Sequence, residues 1–403
     1  MRQVLCTCFV MVALCLNGIV NAQNDSTGIP LGPAGNLFWD SVPTTVKKAH
    51  KRGDVLWITE REDAPTGANG WNIIYVTEGV TGGLEYVSGE IYVPNQVAGS
   101  PRPVIVWNSG TVGFQDSCAP SRNVLSNAPN WAGLRVPVLR DLIARGYVVV
   151  MSDYQGLGTP GGFPFANGRA QGMAALDAAR AATKFPQAAA GNKIGLYGFS
   201  LGGQTVLWAT HLAKGYAPEL QIIGAVAIAP ASRHLDLAIY DLGIPENAGY
   251  FVARAAGLQV GHPELNLGDI LSEAGLALLT TQAWGCFELF SEAQTLNEPY
   301  AKPAALDSDT PWGELLKAND QFLPLSKSVP ILLVQGDEDI DVPVEITREV
   351  RTDLCNQGVK VEYVEVEKAG HFEVMTPTAA MLPEWFDARL RRLPVAENCD
   401  EEY

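Results

Sequence analysis

The chain has 403 residues, 47% of them apolar and 18% charged, and a formal net charge of −16. This composition excludes a disordered chain. The acidity argues against nucleic acid, whose phosphates would be repelled, and against an anionic membrane surface reached by charge.

The chain opens with Met1-Arg2, an apolar run over residues 4–16 and the small-residue step Val20-Asn21-Ala22. A positive start, a short apolar core and small residues before a break read as a secretory signal over residues 1–22. The run is too short for a permanent membrane anchor, and no later stretch is apolar enough to predict a transmembrane helix. Cys6, Cys8 and Cys15 leave with the signal, while Cys118, Cys286, Cys355 and Cys399 remain, an even number in an exported protein. None forms a CxxC pair, so no zinc site is expected. Asn24-Asp25-Ser26 is a glycosylation sequon.

An N-terminal arm over residues 23–70 leads into a strand–helix alternation. Strands are predicted at 72–77, 86–93, 104–108, 148–152, 194–198, 222–229, 331–335 and 361–366, and helices at 136–145, 168–184, 201–214, 344–356 and 377–391. Apolar strands alternating with helices give an α/β fold with a mostly parallel central sheet flanked by helices on both faces. The first two strands alternate more and lie close together, which suggests an antiparallel edge hairpin. Residues 231–324 lack a strand pattern and read as an inserted helical cap, with helical stretches at 235–242, 250–256 and 267–279. The cap divides a core of residues 71–230 and 325–403.

Gly198-Phe199-Ser200-Leu201-Gly202 satisfies G-x-S-x-G at a predicted strand-to-helix turn. Such an elbow holds a serine in a strained, exposed position at a helix N-terminus, the placement a nucleophile needs. The serine requires a base, and the base an orienting acid, in the chain order Ser, acid, His. Of the histidines His50, His211, His234, His262 and His371, only His371 follows the acid-bearing strand. His211 lies within the nucleophile helix, and the other three read as surface or cap residues. Asp337, Asp339 and Asp341 compete for the acid's place in Gly336–Pro343. Asp339 is favoured by its spacing to Val342-Pro343, and the other two are alternatives. An oxyanion would be held by the backbone N–H of Leu201 and by one from Ser109-Gly110-Thr111-Val112-Gly113, with Thr111 the candidate. Gly156-Leu157-Gly158-Thr159-Pro160-Gly161 formally matches a dinucleotide fingerprint, but Pro160 and Pro164 prevent the helix it would need.

Three segments carry a resemblance beyond the G-x-S-x-G step: Asp153-Tyr154-Gln155-Gly156-Leu157-Gly158, Gly110–Ser121 with its Cys118-Ala119-Pro120-Ser121, and Tyr197–Gly203. Together they resemble the secretory lipase family of the α/β-hydrolase superfamily, from about residue 38 to the end. The resemblance implies an α/β-hydrolase core with an inserted lid, carboxylic ester hydrolysis and no cofactor. It carries the triad onto Ser200, Asp339 and His371, and suggests the disulfides Cys118–Cys286 and Cys355–Cys399. One departure is Ser109, where bacterial relatives place a histidine before the Gly-Thr step.

The expected partner is therefore an ester or lipid, with transient contact between the cap and a lipid interface. Leu235, Ile239, Leu242 and Phe251 are candidates to line an acyl site. An exopeptidase of the same fold would need a carboxylate pair in the cap, for which only Glu246 and Glu264 offer themselves. A non-catalytic binding protein of this fold would typically have lost a triad member.

Overall fold

The computed structural model describes residues 28–125, 132–280, 286 and 288–401. The signal reading and the Asn24 sequon lie outside these. Among the described residues one sheet has nine strands: β1 Val55–Glu60, β2 Ala68–Glu78, β3 Leu84–Pro94, β4 Arg102–Asn108, β5 Val148–Ser152, β6 Ala190–Phe199, β7 Gln221–Ile228, β8 Ile331–Gly336 and β9 Val361–Val366. Their order is β1-β2-β3-β5-β4-β6-β7-β8-β9. β1, β2, β3 and β5 pair antiparallel, and β5 through β9 pair parallel.

Central strands such as β5 and β8 are buried at every position, as both faces are covered. Successive side chains of a strand point to opposite faces. Val104 and Val106 of β4 meet the layer that holds Leu176, Leu207 and Leu354. Ile105 and Trp107 meet the layer that holds Leu139 and Phe386. The first layer is formed by helices Gly168–Lys184, Leu201–Tyr216 and Val344–Asn356, the second by Ala132–Ala144 and Met375–Leu390.

Two expectations are corrected. The predicted edge hairpin, β2 and β3, is not at the edge, because β1 pairs with β2 outside it. In β1 only Leu56 and Ile58 are fully buried, a weak signal beside the long apolar runs of the central strands. The single helix expected over 267–279 is two short helices, Leu267–Ile270 and Glu273–Thr280. Leu271 between them is extended and bridges Ala301.

The described part of 231–324 holds helices and no strand of the sheet. Its apolar residues, among them Phe251, Leu258 and Trp312, pack with Phe114, Phe165 and Leu201 from the sheet's loops. Cys118–Cys286 ties the loop after β4 to this segment, and Cys355–Cys399 ties the C-terminal stretch to helix Val344–Asn356. No helix among the described residues is long and apolar enough to cross a membrane.

Candidate active site

Ser200 lies between β6 and the helix Leu201–Tyr216 with φ +57° and ψ −118°. A non-glycine residue in this region carries about 1–3 kcal/mol of backbone strain and persists only when its surroundings force it. Here they do. A Cβ on Gly198 would lie 2.1 Å from the Gly202 carbonyl oxygen, and one on Gly202 would lie 2.0 Å from that of Asn108. Only glycine allows the chain to fold back this tightly. The Ser200 N–H donates to Ile228 O at 2.8 Å, which pins the elbow to the end of β7.

His371 follows β9 and is buried against Phe199, with ring centroids 4.7 Å apart. Its Nε2 is 2.9 Å from Ser200 Oγ, and its Nδ1 is 2.7 Å from Asp339 Oδ2. Asp339 Oδ1 accepts the N–H groups of Asp341 at 2.9 Å and Val342 at 2.8 Å, an Asx-type turn that fixes the carboxylate. Of the three competing aspartates, Asp339 is the one that meets the imidazole. Asp337 is exposed, and Asp341 stands at the rim of the same cavity. Burial alone would lower the His371 pKa, but the adjoining Asp339 carboxylate, with Asp341 and Glu373 nearby, outweighs it and holds the group above its ordinary value.

Thr111 and Leu201 both border the cavity at Ser200. Gly110 lets the Thr111 loop lie against the elbow, since a Cβ there would come 3.0 Å from the Phe199 ring and 3.2 Å from Phe199 O. Tyr154 supports that loop by donating its hydroxyl to Ser109 O at 3.1 Å. Asp153, next in the chain, accepts the Ser121 N–H at 3.1 Å. The Asp-Tyr-x-Gly-Leu-Gly and Cys-Ala-Pro-Ser segments are thus two sides of one support for the loop after β4. Gly156 and Gly158 take positive φ in a turn, and no helix opens within residues 156–161.

The cavity at Ser200 has a free volume of only about 30 Å³, room for a water. Its cap-side wall is His234, Leu237, Tyr250 and Arg254. The four residues expected to line it do not. Ile239 is 51% exposed, and Phe251 lies in the cluster between the cap and the sheet's loops, with Leu242 packed against it. Leu235 borders a separate surface hollow beside Arg233. Helical geometry explains the error. Selecting the most apolar residues finds the faces turned into the cap, whereas the cavity is met by neighbouring positions on the same helices. His234, expected at the surface or within the cap, is 1% exposed. Glu246 and Glu264 are both exposed, and neither borders the cavity.

Asp339, Asp341 and His371 are a group whose donor atoms all lie within 4.8 Å of one another. The Asp339 and His371 atoms in it are already bonded to each other. A larger cleft of about 480 Å³ lies elsewhere, lined by Lys193, Lys327, Lys360, Arg389 and Arg392 among others. It contains none of Ser200, Asp339 and His371.

The model of the secretory lipase family matches residues 133–276, a span that includes the elbow and part of the cap. The chain is similar to the secretory lipase family. Lipase A of Moesziomyces aphidis is 35% identical over 153 residues, covering 37% of this chain and 32% of that protein. A secreted triacylglycerol lipase of Malassezia globosa is 26% identical over 315 residues, covering 74% of this chain and 65% of that protein. The chain thus spans less than two thirds of the length of these relatives. In three dimensions it is similar to Candida antarctica lipase A in its closed state, with a TM-score of 0.72 at 21% identity over 88% of this chain and 87% of that one. The fold is that of the α/β-hydrolases.

Proposed function

We propose that this chain is an exported serine hydrolase of carboxylic esters. The observation that carries the reading is the line Asp339–His371–Ser200, with contacts of 2.7 and 2.9 Å, set on a strained elbow. A serine hydroxyl is a poor nucleophile until a neighbouring base removes its proton. In this reading His371 Nε2 takes that proton as Ser200 Oγ attacks the ester carbonyl. Asp339 keeps Nδ1 protonated and stabilises the imidazolium. The N–H groups of Leu201 and Thr111 hold the oxyanion. His371 then protonates the leaving alcohol and afterwards activates the water that releases the acid from Ser200.

Export is inferred from residues 1–22, and relatives named as secreted support it. The segment 231–324 acts as a cap over Ser200, on which the exposed Ile239 is placed to meet a lipid interface.

Hydrolysis of p-nitrophenyl butyrate by the full chain tests the reading, together with the mass gained from a serine-directed fluorophosphonate. Ser200→Ala should abolish both. Hydrolysis that persists unchanged in that variant would overturn the mechanism.

A further inference from the structure

The cap-side wall of the cavity carries polar side chains beside the apolar Ala231 and Leu237. His234 opens the helix His234–Asp241, while Tyr250 and Arg254 lie on Ala248–Gly261. All three border the cavity with Ser200, His371 and Asp341.

His234 is 99% buried, and neither of its ring nitrogens has a hydrogen-bond partner among the described residues. Burial, helped by the Arg254 cation, holds its pKa well below the ordinary value, so the ring is neutral at pH 7. A neutral imidazole presents one N–H donor and one acceptor nitrogen. Arg254 donates from Nη1 to Asp241 Oδ2 at 2.7 Å, while its Nε is buried without a partner among the described residues. Asp241 also accepts Asn247 Nδ2 at 3.1 Å and is itself buried. The guanidinium charge is therefore matched, and what it leaves is a spare donor.

These groups do not suit an anion, because the Arg254 cation is already paired and the remaining charge on the wall is the Asp341 carboxylate. They suit a neutral group that both donates and accepts, and a hydroxyl does both. Unpaired buried polar groups cost stability that a bound partner returns.

A free hydroxyl on an ester substrate is supplied most simply by a polyol alcohol, which keeps the hydroxyls that are not acylated.

We propose that His234 and Arg254 form a subsite for a free hydroxyl of the ester substrate, so that the substrate class is a partially acylated polyol. This inference rests on the ester-hydrolase reading above. The small free volume limits the group held there to about the size of one hydroxyl until the cap shifts.

The test compares kcat/KM for three butyrate esters on the full chain: propyl butyrate, glycerol monobutyrate and glucose 6-butyrate. A site that hydrogen-bonds a substrate hydroxyl discriminates against the analogue lacking it, so at least one polyol ester should exceed propyl butyrate by about 10-fold or more. Which of the two does so identifies glycerol or sugar as the source of the hydroxyls. In His234→Leu the ratio of polyol ester to propyl butyrate should fall about 10-fold, chiefly through KM.

Equal rates on all three esters in the unmodified chain would overturn the subsite and mean that a water alone occupies that room. An unchanged ratio in His234→Leu would overturn the role of His234. The unmodified comparison stands even if that variant does not fold. Loss of p-nitrophenyl butyrate hydrolysis in the unmodified chain would instead remove the ester-hydrolase reading itself.

Discussion

Gln335 Nε2 donates to Asp339 Oδ2 at 2.8 Å, the same carboxylate oxygen that meets His371 Nδ1. Gln335 also donates to Val342 O at 2.9 Å and accepts from Thr347 Oγ1 at 2.7 Å. It sits near the end of β8 and belts the acid loop to helix Val344–Asn356. Gln335 is thus a positioning residue, acting on the imidazole through Asp339.

Gln335→Leu should therefore impair the site without touching a reacting atom. It removes a hydrogen bond to a charged group, which is worth about 1.5–3 kcal/mol. That predicts roughly a 10- to 150-fold fall in kcat/KM for p-nitrophenyl butyrate. The acid limb of the pH profile should also move upward, because a carboxylate with fewer donors holds the imidazolium more strongly. A merely structural residue would lower the rate and leave that limb where it was.

His371 sets the pH dependence. It must be neutral to accept the Ser200 proton, and Asp339 holds its pKa above the ordinary 6.5. In the unmodified chain kcat/KM should thus fall as pH drops, with a midpoint above 6.5. Asp339→Asn removes the largest raising charge and leaves burial opposed only by Asp341 and Glu373, so the midpoint should move lower and kcat should fall about 10⁴-fold. Stopped assays between pH 5 and pH 9 check both, and a midpoint that stays in place in Asp339→Asn would exclude the coupling.

The parts of this site that are legible in the sequence are those fixed by local constraint. Gly198 and Gly202 are dictated by contacts that a Cβ would break, so the motif itself reports the turn. His371 can be reached because few histidines exist and only one follows the acid loop. Asp339 can be favoured but not separated from Asp337 and Asp341 by residue type. The separation comes from an Asx turn whose N–H donors are Asp341 and Val342. Gln335, His234 and Arg254 give no sequence signal because their roles depend on partners that the fold brings together, and Tyr154 is marked only by the segment that carries the resemblance, not by its role. Arg254 and Asp241 are 13 residues apart, and Tyr154 reaches Ser109 across 45. The cap wall is illegible since apolarity marks a buried helix face without telling which neighbour buries it.

The elbow's glycine requirement gives a paired prediction. Gly202→Ala would set a Cβ 2.0 Å from Asn108 O, a backbone atom that cannot swing away. It should lower the melting temperature by several degrees and abolish activity. Gly215 lies in the same helix, and a Cβ there would have nothing within 4 Å among the described residues. Gly215→Ala should be neutral or raise stability by about 0.5–1 kcal/mol through helix propensity. Differential scanning fluorimetry on both variants decides it, and equal melting temperatures would contradict the steric argument.

Cys118–Cys286 closes a sequence separation of 168 residues between the oxyanion-side loop and the cap. A cross-link over so long a loop stabilises by about 5 kcal/mol in the chain-entropy account. Cys118→Ala with Cys286→Ala should lower the urea midpoint accordingly. Gly113 packs against this disulfide, so the loop carrying Thr111 should loosen and kcat should fall more than KM rises. Unchanged kcat in a destabilised double variant would show that the tether serves stability alone.

Asp320 gives a pH-dependent stability that is separable from catalysis. It accepts the backbone N–H of His234 and meets the backbone of Arg233, and burial pushes its pKa up to about 7. The ordinary value is 3.8, so the folded state prefers the protonated acid. The sign follows from linkage: folding is unpenalised near pH 4, and stability is lost as pH rises from about 4 through 7. At pH 8 the penalty is about 4 kcal/mol as an upper bound. Asn keeps an oxygen for the His234 N–H without a charge. Asp320→Asn should therefore melt close to the unmodified chain at pH 4 and well above it at pH 8. Thermal unfolding at pH 4, 6 and 8 reads the difference, and a gap that does not widen with pH would mean that Asp320 is already ionised in the folded protein.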